Sequence, residues 1–571
     1  MPRWRTMNKH DHRQARPPDW ELIGRTLQCD GPAGFNIGWH CTDGVCAAGR
    51  GTVPALVCEG AGGVIRSFSF DDLRVLSDGA GAYLQTLGVG MGTRVCVLMD
   101  RIPELYVIVL AALKIGAVVQ PLFSAFGEEA LRARLADAET GVVATQRRYV
   151  GKLRRIRSAL PQLSTVLVVD CGNAALEPGE APFNLAAMKP VTNLAVVRAD
   201  RDTPSLLHYT SGTTGKAKGV LHVHGSLLSQ YYTGQTVLDL KTDDRYWCTA
   251  DPGWVTGISY GIIAPWLLGV TQYVYAEGFK PDRWYEFIAR YRISVWYTAP
   301  TAVRALAKAG DDLARSFDLR SLRHLASVGE PLNAEAVNWS ARVLGKPFHD
   351  TYWQTETGAI MIANRPGLAI RPGSMGLPVP GIEAAVLDPV TFAPVASGMP
   401  GVIAFKRGWP AMMTGYWRNP DATHHKLHGD WYLTGDRGRT DADGYFWFIG
   451  RDDDIINTAG HLVSPFEVES VLLTHPAVAE SAVVSKPDAM NMEVVKAYVV
   501  LKPGITPSGD LELELMQHVR IKLSSYAMPQ ETAFVAELPK TRSGKILRRL
   551  LRARAWGEDI TGIPREDAGS Q

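Results

Sequence analysis

The chain has little of what marks several common protein classes. Its 571 residues include seven cysteines, Cys29, Cys41, Cys46, Cys58, Cys96, Cys171 and Cys248, with no C-x-x-C pair among them. That excludes a disulfide framework and a cysteine zinc site, and it fits a reducing cytoplasm. Net charge is also nearly absent: 60 Lys and Arg stand against 58 Asp and Glu, leaving +2. A dedicated nucleic-acid or membrane-surface binder needs a stronger field than that. The one long apolar stretch, Leu105 to Phe123, carries Lys114 near its middle and Gly116 after it. A lysine at mid-bilayer costs at least ~2.5 kcal/mol, so the stretch reads as a buried helix plus a strand and not as a membrane span. The first twenty residues lack the apolar core of a secretory leader and are expected to be a frayed terminus. There is no internal repeat and no low-complexity tract.

What is present is ordinary globular material, 46% hydrophobic and 21% charged, long enough for several compact units with a cleft between them. Residues 94 to 123 read as one α/β unit. They give a strand RVCVLMD, Pro103 at a helix start, the helix ELYVIVLAALK, Gly116 as its stop, and AVVQPLF as the next strand. Strand-like runs recur at GVVAT, STVLVVD, YWCTA and VWYTAP. Strands alternating with helices imply an α/β fold with parallel-rich sheets flanked by helices, in which ligands sit beyond the carboxyl ends of the strands. Near residue 450 the composition changes. Ser464, Pro465 and Glu467 form an S-x-x-E capping box with proline at the first helical position. The strands VAESAVVS, VVKAYVVL and TAFVAEL and the helix LELELMQHVRIKL follow, enough for a small α+β domain. The expected division is 1–451 and 452–571, with the acidic residues Asp452 to Asp454 at the junction.

The most specific segment is Tyr209-Thr-Ser-Gly-Thr-Thr-Gly-Lys-Ala-Lys-Gly219. Its backbone N–H groups, hydroxyls and two lysines make a phosphate cradle. It is not a Walker A loop, because no Ser or Thr follows Lys216 and the glycine spacing differs. Further motifs are Ser327-Val-Gly-Glu-Pro331, Asp350-Thr-Tyr-Trp-Gln-Thr-Glu-Thr-Gly358, Trp431-Tyr-Leu-Thr-Gly-Asp436, Gly450-Arg-Asp-Asp-Asp454 and Pro539-Lys-Thr-Arg-Ser-Gly-Lys545. Together they resemble the adenylate-forming ligases, the family of acyl-CoA synthetases, peptide-synthetase adenylation domains and luciferases. Through Asp251-Pro-Gly-Trp-Val-Thr-Gly257 and the Tyr-Trp-Gln-Thr-Glu run, the chain is most similar to acetyl-CoA synthetases and their short-chain relatives.

The resemblance implies a large N-terminal AMP-binding domain and a mobile C-terminal domain on a hinge. It implies ATP, Mg²⁺ and coenzyme A as the molecules bound besides a small carboxylic acid. The cradle residues Thr210, Ser211, Gly212, Thr213, Thr214, Gly215, Lys216 and Lys218 would hold the outer phosphates, and Glu356 would ligate Mg²⁺. Gly329, Glu330 and Pro331 would form the adenine shelf, with Tyr352 stacked on the ring and Asp350, Thr351, Trp353, Gln354 and Thr355 bordering the nucleotide. Asp436 would accept from the ribose hydroxyls, a carboxylate being an acceptor-only partner for a diol, and Arg451 would fix the ribose and phosphate end. Lys545 matches the catalytic lysine, Asp453 the hinge, and Thr256 and Gly460 positions near coenzyme A. Val255, Thr256, Val328 and Trp353 would enclose the acyl group, and the Trp353 indole would wall the chamber off after two or three carbons.

The chain departs from the family's Ser-Gly-His-Arg after the hinge, reading Ala459-Gly460-His461-Leu462. Loss of that serine and arginine implies a thioester step less secure than the adenylation step. The expected activity is an ATP-dependent ligation of acetate or another short-chain acid to coenzyme A through an acyl-adenylate, in the cytoplasm. Acetylation of Lys545 by a lysine acetyltransferase, reversed by a deacetylase, would silence it. The alternatives are adenylation of medium-chain, branched or aromatic acids, acyl transfer to a carrier protein, and a non-catalytic nucleotide sensor. His424, His425, His428 and Asp430 have helical spacing that could bind a metal, but they sit in a polar, surface-like stretch and no metal role is expected of them. KILRRLLRAR is expected to be a terminal helix whose charges are solvated or meet coenzyme A phosphates.

Overall fold

A computed structural model describes residues 17–172, 175–188, 190–191, 194–211, 217–452, 454–458, 461–488, 490–540 and 546–558. Two large sheets dominate the first four hundred residues. The nine-stranded sheet has a parallel centre, with Phe348–Tyr352, His324–Ser327, Val295–Thr298, Arg245–Cys248, Thr271–Tyr275 and Pro54–Glu59 side by side. Antiparallel strands close both of its edges. The eight-stranded sheet has a parallel run from Pro204–Ser211 through Val118–Pro121, Arg94–Leu98, Val142–Thr145 and Thr165–Val168 to Glu180–Pro182.

The helix Pro103–Lys114 lies between these sheets, and the stretch that could have been mistaken for a membrane span is explained by that position. All but one of its residues are buried, in a core that also takes Leu56 and Val274 from one sheet and Val95 and Val119 from the other. A helix enclosed on every side is apolar all round. Pro103 occupies its first turn, where a missing N–H costs nothing, and Gly116 reverses the chain at φ +74°. Lys114 is fully buried, but its ammonium meets Asp43 and Asp78, each at 2.7 Å. Among the described residues no helix is long and apolar enough to cross a membrane.

A third sheet, antiparallel, is built from Ala384–Leu387, Gly401–Lys406, Trp431–Thr440, Leu427–His428 and Phe446–Arg451. The strands after residue 456 form a sheet of their own, His461–Val463, Ile456–Thr458, Met492–Leu501, Val478–Asp488 and Glu531–Phe534, backed by the helices Pro465–Leu472, Gly509–Lys522 and Arg548–Trp556. The start of Pro465–Leu472 differs in detail from the expected reciprocal box. Ser464 Oγ accepts from the Glu467 N–H and donates to the Ile449 carbonyl. The Glu467 carboxyl is instead buried near Arg439, and burial pushes its pKa up. Lys308 reaches Glu480 of the C-terminal sheet at 3.7 Å.

The expectation of a frayed start is overturned from residue 17 onward. Asp19 caps the helix Trp20–Thr26 through its side chain, and the Trp20 ring packs edge-on against Tyr232 and Trp409 at 5.8 and 5.0 Å. Aromatic burial, invisible to a search for leader peptides, fastens this segment.

Candidate active site

The parallel strands of the nine-stranded sheet deliver the candidate residues at their carboxyl ends, as an open α/β sheet does. His324–Ser327 is followed at once by Val328, Gly329 and Glu330. Phe348–Tyr352 ends on Tyr352 and passes into Trp353 and Gln354. Arg245–Cys248 leads to Asp251 and then to the short helix Val255–Ile258. Gly329 holds φ +97°, and a Cβ there would stand 3.1 Å from the Trp254 ring. Only glycine combines that backbone with that approach. Glu330 accepts from Thr301 Oγ1 at 2.7 Å and from Arg304 Nη2 at 2.6 Å.

Glu356 sits on a tight turn, Thr355–Thr357. Gly358 ends the turn at φ +68°, where a Cβ would fall 2.1 Å from the Ala411 carbonyl oxygen, so the turn is seated directly on neighbouring backbone. His222 lies against it, its Nδ1 3.1 Å from the same carbonyl, and burial pushes this imidazole down to about 4. The Glu356 carboxylate accepts from Tyr416 OH at 2.7 Å. Tyr416 pairs across strands with Val220, in the strand Ala217–Val223 that follows the phosphate cradle, and Lys218 Nζ lies 5.4 Å from the Tyr416 ring centre. Thr210 is opposite Lys218 in register. The fold thus brings Thr210, Lys218 and Glu356 to one place.

Asp436 is drawn to the same place by the antiparallel sheet. Its carboxylate accepts from Tyr352 OH and from Gln354 Nε2, both at 2.6 Å. Burial raises its pKa, while Tyr352, Arg451, Gln354 and Lys426 pull it back down. Arg451 is its register partner on the adjacent strand. Lys426 is a member of this cluster that motif reading missed. Its ammonium donates to the Thr434 carbonyl at 2.9 Å, beside Gly435. Burial lowers its pKa against the opposing pull of Glu356 and Asp436. Tyr416 was missed as well. Neither belongs to a sequence motif, and no local signal distinguishes them.

On the other side, Val255, Val328 and Trp353 belong to one buried cluster with Tyr260 and Tyr297, and Thr256 is buried beside Val255. Tyr260 meets the Trp353 ring edge-on at 5.2 Å, and the indole Nε1–H donates to Tyr297 OH at 3.2 Å. Asp350 and Thr351 point into the interior. Asp350 accepts from Ser327 Oγ at 2.8 Å, and burial pushes its carboxyl up to about 7. Thr351 Oγ1 donates to the Ser327 carbonyl at 2.7 Å.

Several expected residues, Gly212 to Lys216, Asp453, Ala459, Gly460 and Lys545, lie outside the described residues. The histidine group does not assemble. His424 ends a short helix, and His425 Nδ1 lies 2.6 Å from the Asp421 carbonyl. His428 sits on a strand, stacked on Phe392, so the helical spacing that suggested a metal is not realised. No group of three or more His, Cys, Asp or Glu among the described residues could hold a metal ion.

Beyond the strand ends of the parallel sheet stands Glu356, joined there by Asp436 and the half-buried Lys426 from the antiparallel sheet and by Thr210 and Lys218 from the eight-stranded one, an arrangement of the kind a nucleotide-binding enzyme uses. The chain belongs to the AMP-binding enzyme family: residues 45–417 match the AMP-binding enzyme domain and residues 467–545 the AMP-binding enzyme C-terminal domain. It is 47% identical over 488 residues to the acetyl-coenzyme A synthetase of Bacillus subtilis (strain 168), covering 85% of each chain. It is 39% identical over 508 residues to that of Pyrobaculum aerophilum, covering 84% of this chain and 76% of the relative. Among solved structures it resembles an acyl-CoA synthetase of Brucella canis, with a TM-score of 0.71, 36% identity, and 91% and 94% of the two chains covered. It also resembles the anthranilate CoA ligase AuaEII in complex with anthranoyl-AMP, with a TM-score of 0.83, 30% identity, and 92% and 98% covered.

Proposed function

We propose that this protein is an AMP-forming acid:coenzyme A ligase acting on acetate. In the first half-reaction a carboxylate oxygen attacks the α-phosphorus of ATP, the bond from that phosphorus to the bridging oxygen breaks, and pyrophosphate leaves. In the second, the sulfur of coenzyme A attacks the acyl carbon and loses its proton. The bond from that carbon to the AMP oxygen then breaks, and AMP leaves. The protein's part is to position anions and neutralise their charge.

The reading rests chiefly on the joining of Glu356, Asp436 and Lys218 into one cluster, in a chain nearly half identical to an acetyl-coenzyme A synthetase over most of its length. We assign Asp436 to the ribose hydroxyls, for which one carboxylate oxygen is already oriented by Tyr352 and Gln354. Gly329, Glu330 and Pro331 are assigned to the adenine shelf with Tyr352, and Thr210 to Lys218 to the outer phosphates. Glu356 fits a magnesium site, since its Oε1 is fixed by Tyr416 and its second oxygen is the hard, anionic donor that ion takes. Magnesium, when bound, would screen phosphate charge. Lys545 is assigned to the space between the acid and the α-phosphate, Asp453 to the hinge between units 1–451 and 452–571, and Thr256 and Gly460 to coenzyme A. Trp353, closing a chamber lined by Val255, Val328 and Thr256, supports acetate over longer acids. A cytoplasmic location fits seven free cysteines. Lys545, whose charge the first half-reaction needs, is the residue an acetyltransferase would silence.

The test is acid-dependent ATP–pyrophosphate exchange over straight-chain acids from acetate to octanoate. Acetate is expected to give the fastest exchange. Exchange without any acid would indicate a sensor, and a preference for octanoate would remove the role given to Trp353. Single-turnover AMP release with and without coenzyme A addresses the second half-reaction. Stimulation is expected, and its absence would defeat the thioester assignment.

A further inference from the structure

The Trp353 indole carries a single polar atom, and in a dry cluster that atom decides which way the plate can face. Its Nε1–H donates to Tyr297 OH at 3.2 Å. Tyr297 OH in turn lies 2.7 Å from Thr351 Oγ1, and Thr351 Oγ1 donates to the Ser327 carbonyl at 2.7 Å. Only one assignment of protons serves all three contacts. Thr351 must give its proton to the carbonyl, so Tyr297 gives its own to Thr351 and accepts from the indole. The result is a directed chain from Trp353 through Tyr297 and Thr351 to Ser327, the residue that immediately precedes Val328. The end of the acyl chamber and one of its side walls are therefore fixed to the same strand terminus.

The indole N–H groups of Trp247, Trp284, Trp296 and Trp409 are buried with no hydrogen-bond partner among the described residues. That of Trp353 has one, as do those of the buried Trp266 and Trp339, but its partner is a tyrosine hydroxyl that conservative replacement can delete. Tyr260 touches the Trp353 ring edge-on, but its hydroxyl is engaged elsewhere, accepting from the Ile360 N–H at 2.8 Å and lying 2.7 Å from Thr233 Oγ1. Tyr260 supplies bulk beside the indole and Tyr297 supplies direction.

The geometry points to Tyr297 as a positioning residue that sets the length of acid the site accepts, by holding the Trp353 indole through its N–H. This rests on the reading of Trp353 as the end of the acyl chamber. Replacing Tyr297 by Phe keeps the ring and deletes the acceptor. The indole N–H is then stranded in an apolar setting, and the indole turns to find another partner.

The experiment measures ATP–pyrophosphate exchange with acetate, propionate and butyrate for the full-length protein and for Tyr297→Phe, Tyr260→Phe and Trp353→Gly, together with the KM for ATP. For Tyr297→Phe the ratio of kcat/KM for butyrate to that for acetate is expected to rise about tenfold, the scale that one buried hydrogen bond allows. The KM for ATP should stay within about twofold, since the change acts on the acid alone. Tyr260→Phe is expected to lower the melting temperature while leaving the chain-length ratio where it was. An unchanged ratio in Tyr297→Phe, with a raised ratio in Trp353→Gly, would overturn this inference and leave the chamber reading intact. An unchanged ratio in Trp353→Gly would remove the chamber reading itself. An equal shift in Tyr260→Phe, or a parallel rise in the KM for ATP, would mean a loosened core and would equally overturn the role of Tyr297. Should Tyr297→Phe fail to fold, Thr351→Val withdraws the hydroxyl's other partner. A smaller rise in the ratio is expected there, and no rise overturns the proposal.

Discussion

On the side we assign to the nucleotide, two carboxylates are held by hydroxyls and an amide. Tyr416 donates to Glu356, and Tyr352 and Gln354 donate to Asp436. On the side proposed for the acyl group the residues named, Val255, Thr256, Val328 and Trp353, are uncharged, and an indole is held by one phenol and flanked by another. On that assignment the first side would recognise charge and hydrogen-bonding capacity, with steep selectivity because a lost partner leaves a buried polar group unpaired. The second recognises shape, where one methylene is worth only about 1 to 3 kcal/mol unless a rigid wall excludes it. If both assignments hold, fidelity for the nucleotide is a matter of donors, and fidelity for the acid a matter of how firmly one aromatic plate is held.

The comparison breaks most sharply at Asp436. Asp436→Asn is expected to reduce kcat/KM for ATP by about 10² to 10³, the loss of charge-assisted bonds to a diol, with the chain-length ratio unchanged; steady-state exchange reads both. Trp353→Gly is the mirror experiment. It should raise kcat/KM for butyrate by about 10- to 100-fold while the KM for ATP holds, and unchanged selectivity would refute the wall. Tyr416→Phe should be milder. Glu356 keeps its charge but loses its orienting donor, so the Mg²⁺ concentration for half-maximal exchange is expected to rise about five- to tenfold, with acid preference unaffected.

The smallest effect is in pH. Burial pushes His222 and His349 down to about 4 and His224 to about 3, from an ordinary 6.5. These imidazoles stay neutral in the folded chain while the unfolded chain takes up their protons. Their contribution to stability is whole above 6.5 and is lost as pH falls through about 4. Asp350 works the other way. With its carboxyl raised from 3.8 to about 7, its contribution is whole below 3.8 and is lost as pH rises through about 7. The melting temperature should therefore peak near pH 6.5, and Asp350→Asn should flatten the alkaline limb. A melt series from pH 4.5 to 8.5 checks both limbs.

The pattern of strands and helices was legible because both large sheets are parallel at their centres, and buried parallel strands read as continuous apolar runs. Glu356 and Asp436 could be singled out because each lies within a contiguous motif, and the fold brings both into one cluster. Lys426, Tyr416 and Tyr297 could not. Each reaches its partner from another part of the chain, Tyr416 to Glu356 and Tyr297 to Trp353, and no periodicity or spacing encodes such a meeting. The histidines at 424, 425 and 428 show how little spacing alone means: it allowed one helical face, but the chain turns from helix to strand between them.

The clasp on Trp20 bears on how the molecule is made. Its indole packs against Tyr232 and Trp409, residues that a ribosome delivers long after residue 20 has left the tunnel. Contacts so distant along the chain form late. The first helix can therefore meet Tyr232 only after about two hundred further residues are made, and completes its aromatic packing only once Trp409 has followed. The packing of the Trp20 helix is thus completed late in synthesis, and a pause in translation before Trp409 would lengthen the time during which one face of that ring is left uncovered.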